Sequence, residues 1–217
     1  MNFHTAQINM LKQQIRTWDV LDDKILALFA RVPREPFVPA PFRELAYADT
    51  AIPIGHGQVI PPPKEMARIL QALHILSSDT ILEIGTGSGY FTALLAGLGQ
   101  HVESVDVYPD FTERAHQTLQ TLDVTNVTLH TGDALQGWDK PKSYAVILLN
   151  GSVPYLPESL RNNLALGGRL LAVVGFSPVM EVTLFEQFAP GQWRTEFLFE
   201  TDWPRLPNVG QYKPFVF

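Results

Sequence analysis

The chain has 217 residues, 46% hydrophobic and 18% charged, which is enough apolar material for one α/β domain with a sizeable core and too little for two comfortable ones. A net charge of -6, a pI near 5.5 and no Lys/Arg cluster argue against a duplex nucleic acid or an anionic membrane surface as partner. The absence of cysteine excludes disulfides, thiolate nucleophiles and thiolate metal sites. Residues 1–7 lack the apolar core of a signal peptide, and no run of about 18 apolar residues could span a bilayer, so a cytoplasmic location is the expectation.

Ile8, Leu11, Ile15 and Trp18 recur at steps of three and four residues, as do Leu21, Ile25, Leu28 and Val32. This predicts two amphipathic helices whose stripes are packing faces, with Asp22 or Asp23 starting the second. Of the 17 prolines, eight lie from Pro33 to Pro63, so that span is expected to be irregular and stiff. Pro61-Pro62-Pro63 then opens a third helix with Met66, Ile69, Leu70 and Leu73 on one face, because proline in the first turn forfeits no intrahelical bond. Residues 1–79 thus read as a helical and proline-rich lead-in packed on a core at 80–217, the two forming one structural domain.

From Thr80 the chain alternates strands and helices. Strands are expected at 80–84, 101–107, 126–130, 143–149 and 168–175, and helices near 90–98, 110–122 and 156–165, with Gly167-Gly168 ending the last. Phe111, Ala115, Leu119 and Leu122 give the helix near 110–122 its sheet-facing stripe. Residues 180–188 and 193–201 read as two strands joined across Pro190-Gly191. The expected architecture is α/β: a doubly wound, mainly parallel sheet that finishes with an antiparallel pair.

The most informative stretch is Glu83-Ile84-Gly85-Thr86-Gly87-Ser88-Gly89-Tyr90, where a buried strand should turn into a helix. Alternating glycines permit φ > 0 and remove the Cβ atoms that would keep a flat ligand from the backbone. The dinucleotide fingerprint needs a third glycine where this chain has Tyr90, and a P-loop needs Gly-Lys-Ser or Gly-Lys-Thr, which does not follow. Glu83 would also repel a pyrophosphate on the helix N-terminus, whereas a cationic ligand without phosphate suits it. Asp106, 21 residues beyond Gly85, closes the second strand, where an acid can accept from both hydroxyls of a ribose. Asp133 follows the third strand and could accept from an adenine amino group, although an Asp after a glycine also serves as a turn residue. S-adenosylmethionine, with its adenosine, ammonium and sulfonium, matches this set. The expected contacts are Glu83, the turn residues Gly85, Thr86, Gly87, Ser88, Gly89 and Tyr90, then Asp106 with Val107 and Asp133 with Ala134. Tyr90 could stack beside the ligand or belong to the core.

Arg31-Val32-Pro33-Arg34-Glu35-Pro36-Phe37-Val38-Pro39, Tyr47-Ala48-Asp49-Thr50, Pro53-Ile54-Gly55-His56-Gly57-Gln58 and the glycine turn together resemble the protein-L-isoaspartate O-methyltransferase family. Gly132-Asp133 and Leu166-Gly167-Gly168-Arg169-Leu170 fall in the family's order too, and the resemblance runs from about residue 7 to 175. It implies a Rossmann-like class I S-adenosylmethionine methyltransferase fold and methyl transfer to isoaspartyl carboxylates in proteins or peptides, a repair reaction. The chain departs from the family at the acceptor side. Where the family reads Thr-Ile-Ser-x-Pro, with a serine facing the acceptor carboxylate, this chain reads Val59-Ile60-Pro61-Pro62-Pro63, and the family's Phe-Val-Pro-Leu segment has no match in Asp202-Trp203-Pro204-Arg205-Leu206-Pro207. These changes resemble those of a divergent bacterial subgroup of the family.

Methyl transfer from a sulfonium is an in-line displacement, so positioning carries the chemistry and no catalytic residue or metal cluster is expected. A carboxylate with an unperturbed pKa of about 4 is already ionised and needs no general base. His56, between two glycines, is the one candidate base; a histidine there is commonly structural. Gln58, Val59, Ile60 and Pro61 are expected to line the acceptor pocket, with Asn150 and Ser152 opposite, unless Asn150-Gly151 is only a tight turn after the strand at 143–149. Three other readings stay open: the same chemistry on a different acceptor, a cofactor-binding module without turnover, and, more distantly, an NAD-dependent reductase.

Overall fold

The computed structural model of the protein describes residues 2–135, 137–138 and 143–209. Helix α1 (Phe3–Asn9) is capped by Asn2, whose Oδ1 accepts from the Thr5 N–H at 3.2 Å. It continues as a π-helical turn over Met10–Ile15 and a 3₁₀ turn over Arg16–Trp18. The wider turn changes the buried face: Met10 and Ile15, five residues apart, are both fully buried, so the stripe differs from the one that α-helical spacing predicts. Asp22 caps α2 (Asp23–Arg31) by accepting from the Lys24 N–H at 2.8 Å, and α2 buries Ile25, Leu28 and Phe29.

The proline-rich span is more ordered than expected. It holds two short 3₁₀ turns, Glu35–Phe37 and Ala40–Leu45, and a two-stranded hairpin, β1 (Ile52–Gly55) and β2 (Gln58–Ile60). Pro53 is tolerated because this small sheet is all edge. Helix α3 (Pro63–Leu73) follows with Met66, Ile69, Leu70 and Leu73 buried, as its periodicity predicts.

The main sheet has seven strands in the order β5-β4-β3-β6-β7-β8-β9. They are β3 (Thr80–Ile84), β4 (His101–Asp106), β5 (Val127–Thr131), β6 (Tyr144–Val153), β7 (Leu164–Phe176), β8 (Val179–Ala189) and β9 (Gln192–Thr201). The first five positions pair in parallel, and β8 and β9 are added antiparallel, giving a Rossmann-like doubly wound sheet with the expected antiparallel end. The strand order reverses between β3 and β6, where ligands bind in such sheets. Helices α4 (Tyr90–Ala96), α5 (Pro109–Thr121) and the short α6 (Glu158–Arg161) connect the strands.

Two expectations for the second half are corrected. The helix expected near 156–165 is one turn long, because Leu164 already pairs with Tyr144 and Gly167-Gly168 lie inside β7. The strand expected to stop at 149 runs on to Val153 through a register shift after Leu148, so Asn150-Gly151 is bulged strand, not a tight turn. Buried side chains of α2, α3, the hairpin, α4, α5 and one face of the sheet form a single hydrophobic cluster, and a second cluster covers the other face. Beyond β9 the chain doubles back, and residues 202–209 cross the carboxyl ends of the central strands.

Candidate active site

The carboxyl ends of β3, β4 and β6 surround a cleft of about 470 Å³. Gly85 lies at its centre with φ +98, and a Cβ there would stand 3.1 Å from both the Asn150 carbonyl oxygen and Leu206 Cδ2. Only glycine lets the turn pass between β6 and the returning C-terminal segment. Asn150 fixes the same point by donating from Nδ2 to the Gly85 carbonyl at 2.9 Å. Gly89 does a different job: with φ +83, its missing Cβ would sit 2.8 Å from Ala115 Cβ, so it lets α4 start against α5.

Asp106 organises the turn. Its Oδ2 accepts from the Gly87 N–H at 2.8 Å and its Oδ1 from the Tyr108 N–H at 2.9 Å, which leaves each oxygen a further lone pair facing the cleft it lines. Burial raises its pKa, and the two backbone N–H groups pull it back down. Asp133 lines the cleft from the loop after β5, with Oδ1 accepting from the Leu135 N–H at 3.0 Å and Oδ2 from Asn208 Nδ2 at 3.1 Å. Val107 and Ala134 line it beside the two acids.

Glu83 is placed elsewhere. It is fully buried beneath the turn, where Oε2 accepts from Thr92 Oγ1 at 2.5 Å and from Ser104 Oγ at 2.7 Å, and Oε1 has no hydrogen bond among the described residues. Ser104 spends its one proton on Glu83, so the Thr86 hydroxyl, 2.6 Å from Ser104 Oγ, donates to it. Burial pushes the Glu83 carboxyl up to about 8, against those hydrogen bonds. Glu83, Thr86, Ser104 and Thr92 therefore form a buried brace joining β3, β4 and α4. Tyr90 is likewise core: it is fully buried against Phe29 and Phe37 and under the Arg34 guanidinium, and burial raises its pKa. Ser88 accepts from the Tyr90 N–H at 3.3 Å and lies on the outer side of the turn.

On the other side of the cleft stand Gln58, Val59 and Asn150, which also border an adjoining recess of about 170 Å³ with Pro61, Gly151, Trp203 and Pro204. Ile60 turns into the core, 2% exposed. Ser152 is fully buried and works as an anchor: its Oγ donates to the Trp203 carbonyl at 2.9 Å, while its backbone bonds the Pro204 carbonyl and the Leu206 N–H. Trp203 is held further by Nε1 donating to Glu65 at 2.6 Å, and the Arg205 carbonyl accepts from Gln58 Nε2 at 3.0 Å. His56 lies at the hairpin tip, stacked on Tyr108 with ring centroids 3.9 Å apart and with Nε2 3.0 Å from Asp110 Oδ1, which makes it a clamp between hairpin and α5.

Several lining residues escaped the sequence reading. Phe111 reads as helix stripe yet also walls the cleft, as do Tyr108, Leu206 and Pro207. For Leu206 and Pro207 the sequence carries no signal, since a contact with Gly85 more than a hundred residues away leaves no periodicity. Among the described residues no lysine or arginine lines the cleft, and their fixed charge there is that of Asp106 and Asp133. A glycine cradle, a carboxylate with free lone pairs and aromatic walls fit an adenosine ligand that carries positive charge and no phosphate.

Comparison with known proteins shows the family. Residues 5–200 match the family model of protein-L-isoaspartate(D-aspartate) O-methyltransferase. A protein-L-isoaspartate O-methyltransferase 1 of Rhodopseudomonas palustris (strain HaA2) is 38% identical over 174 residues, which cover 80% of this chain and 71% of that one. A protein-L-isoaspartate O-methyltransferase of Methanoculleus marisnigri is 41% identical over 166 residues, 76% of each chain. Among solved structures, a protein-L-isoaspartate O-methyltransferase superposes with a TM-score of 0.80 at 24% identity over 94% of this chain and 67% of that one. A Plasmodium falciparum protein solved with S-adenosyl-L-homocysteine superposes with a TM-score of 0.79 at 18% identity, over 95% and 98%.

Proposed function

The chain belongs to the protein-L-isoaspartate(D-aspartate) O-methyltransferase family, and on that premise we propose that it methylates the free carboxylate of isoaspartyl residues in proteins or peptides. The methyl donor is S-adenosylmethionine, which supplies an electrophilic methyl group on a positively charged sulfur. The observation that carries the reading is Asp106, tied by two backbone N–H groups to the rim of a cleft whose charged side chains, among the described residues, are all acidic.

Asp106 accepts from the ribose hydroxyls, Gly85 and Gly87 let the donor approach the backbone, and Asp133 with Ala134 holds the adenine end. Tyr108 and Phe111 supply apolar walls. Glu83 and Thr86 act from below, by keeping the turn in shape. On the acceptor side, Gln58 and Asn150 each spend one amide N–H on a backbone carbonyl and keep the second for the carboxylate, a role that Pro61 cannot fill. Val59 and Pro61 exclude water.

The acceptor oxygen forms the new C–O bond with its own lone pair as the C–S bond breaks, and no proton moves. No residue is therefore asked to act as a base, in keeping with a His56 that is committed to Asp110 and Tyr108. An anion and a cation become two neutral groups in this step, so a water-poor cleft that strengthens their attraction favours it. A sealed, non-catalytic pocket has less support, because Pro62 and Pro63 start α3 and Pro61 alone borders the recess. Repair in the cytoplasm belongs to the same reading.

Incubating the protein with methyl-labelled donor and an isoaspartyl peptide tests it. Base-labile methyl ester is the expected product, and no ester above an Asp106→Ala control would refute the reading.

A further inference from the structure

Arg34 is a buried cation that makes no ion pair among the described residues. Its side chain is fully buried, and Nη2 donates to the Pro61 carbonyl at 2.7 Å. Nε and Nη1 have no hydrogen-bond partner among the described residues. The nearby carboxylates are spoken for: Glu35 accepts from the Tyr47 hydroxyl and Asp49 pairs with Lys64 at 2.7 Å. The Tyr90 ring centroid lies 5.6 Å from the guanidinium carbon, and Asp49 acts on the charge only through space. Burial lowers the Arg34 pKa to about 10, so the group stays charged at neutral pH. An unpaired interior charge is costly, and a merely structural tie between the proline-rich segment and Pro61 could be made by a neutral donor.

Its position suggests what the charge serves. Pro61 is part of the wall of the recess that adjoins the donor cleft through Gln58, Val59 and Asn150. The guanidinium therefore stands directly behind the acceptor side, in a dry setting where a charge acts through a wall with little screening. Among the described residues, no cation lines the cleft or the recess to meet an anion directly.

We propose that Arg34 is an electrostatic positioning residue for the acceptor: held behind Pro61 with its charge unpaired, it draws a carboxylate into the recess without touching it. This rests on the carboxylate-acceptor reading above. It gives this chain a means of favouring an anionic acceptor where the residue at the wall has neither hydroxyl nor N–H.

The test compares two peptides on the full-length protein saturated with S-adenosylhomocysteine: an isoaspartyl peptide, and the same peptide with that carboxylate replaced by a carboxamide. The wild type should prefer the carboxylate by roughly tenfold or more. Arg34→Met should lose that preference while binding the carboxamide peptide within about threefold of wild type, and Arg34→Lys should retain most of it at pH 7. A wild type indifferent to the carboxylate overturns both the acceptor reading and this one. A preferring wild type with an equally preferring Arg34→Met, or equal loss of both peptides in Arg34→Met, overturns the role of Arg34 alone. Should Arg34→Met not fold, Arg34→Lys still decides, because burial lowers an ammonium pKa. Its preference should fade between pH 7 and 9 while that of the wild type persists, and a pH-independent preference in the lysine variant overturns the proposal.

Discussion

The two sides of the cleft are built by different means. On the donor side, two adjacent elements do the work: Gly85 and Gly87 lie in the turn after β3, Asp106 ends the neighbouring parallel strand β4, and the geometry follows from a strand turning into a helix. On the acceptor side, Gln58 reaches Arg205 across 147 residues, and Ser152 holds Trp203 across 51. The local motif supplies the glycine bend and the acid, while the distant segments add Asn150 and Leu206 against Gly85, so the two sides meet at that residue.

That contrast can be broken or sharpened experimentally. Asp106→Ala should have the largest effect on binding, because it removes the acceptors of two backbone N–H groups as well as the proposed contacts to the donor: calorimetric affinity for S-adenosylhomocysteine should fall by about a hundredfold or more. Retained affinity would mean that the donor side is not centred on this acid. Gly89→Ala should come next, costing about 2–3 kcal/mol in urea unfolding, since it combines an unfavourable φ with a clash on Ala115.

Ser152→Ala leaves the Trp203 carbonyl unpaired in the interior and should cost about 1–2 kcal/mol. Isoaspartyl peptide affinity should weaken more than donor affinity, and equal weakening would show that the two sides are not separable. The last effect is a slope. Glu83 has its pKa raised in the folded state to about 8, so the folded protein binds a proton more tightly than the unfolded chain does. The resulting stability is complete below the unfolded pKa of about 4.3 and is lost as pH rises through about 8. Glu83→Gln, whose amide can occupy the place of the unpaired Oε1, should flatten that decline in urea midpoints measured from pH 5 to 8.5.

The same contrast decided what the sequence disclosed. The parallel strands, the glycine turn and the spacing from Gly85 to Asp106 were legible because each is a pattern within one or two elements. The burial of Glu83 was not, because a strand's last residue can face the ligand or the helix behind it, and the contacts with Thr92 and Ser104 decide which. Tyr90 turned inward for the same kind of reason, toward Phe29 and Phe37 of the lead-in. The hairpin at 52–60 was hidden by its brevity and by Pro53. The over-long helix at 156–165 came from reading a segment whose pairing with Tyr144 overrides its local pattern. Ser152 reads from the sequence as a polar residue of the acceptor pocket, but it is buried and its hydroxyl is consumed by a segment that no spacing rule connects to it.

The wall formed by Leu206 and Pro207 also sets a timetable for biosynthesis. A nascent chain that has emerged only as far as β9 already owns its glycine bend and both cleft acids, yet the surface against Gly85 is still inside the ribosome. Closure of the wall around Gly85 is thereby deferred until residues 202–209 have emerged and folded back.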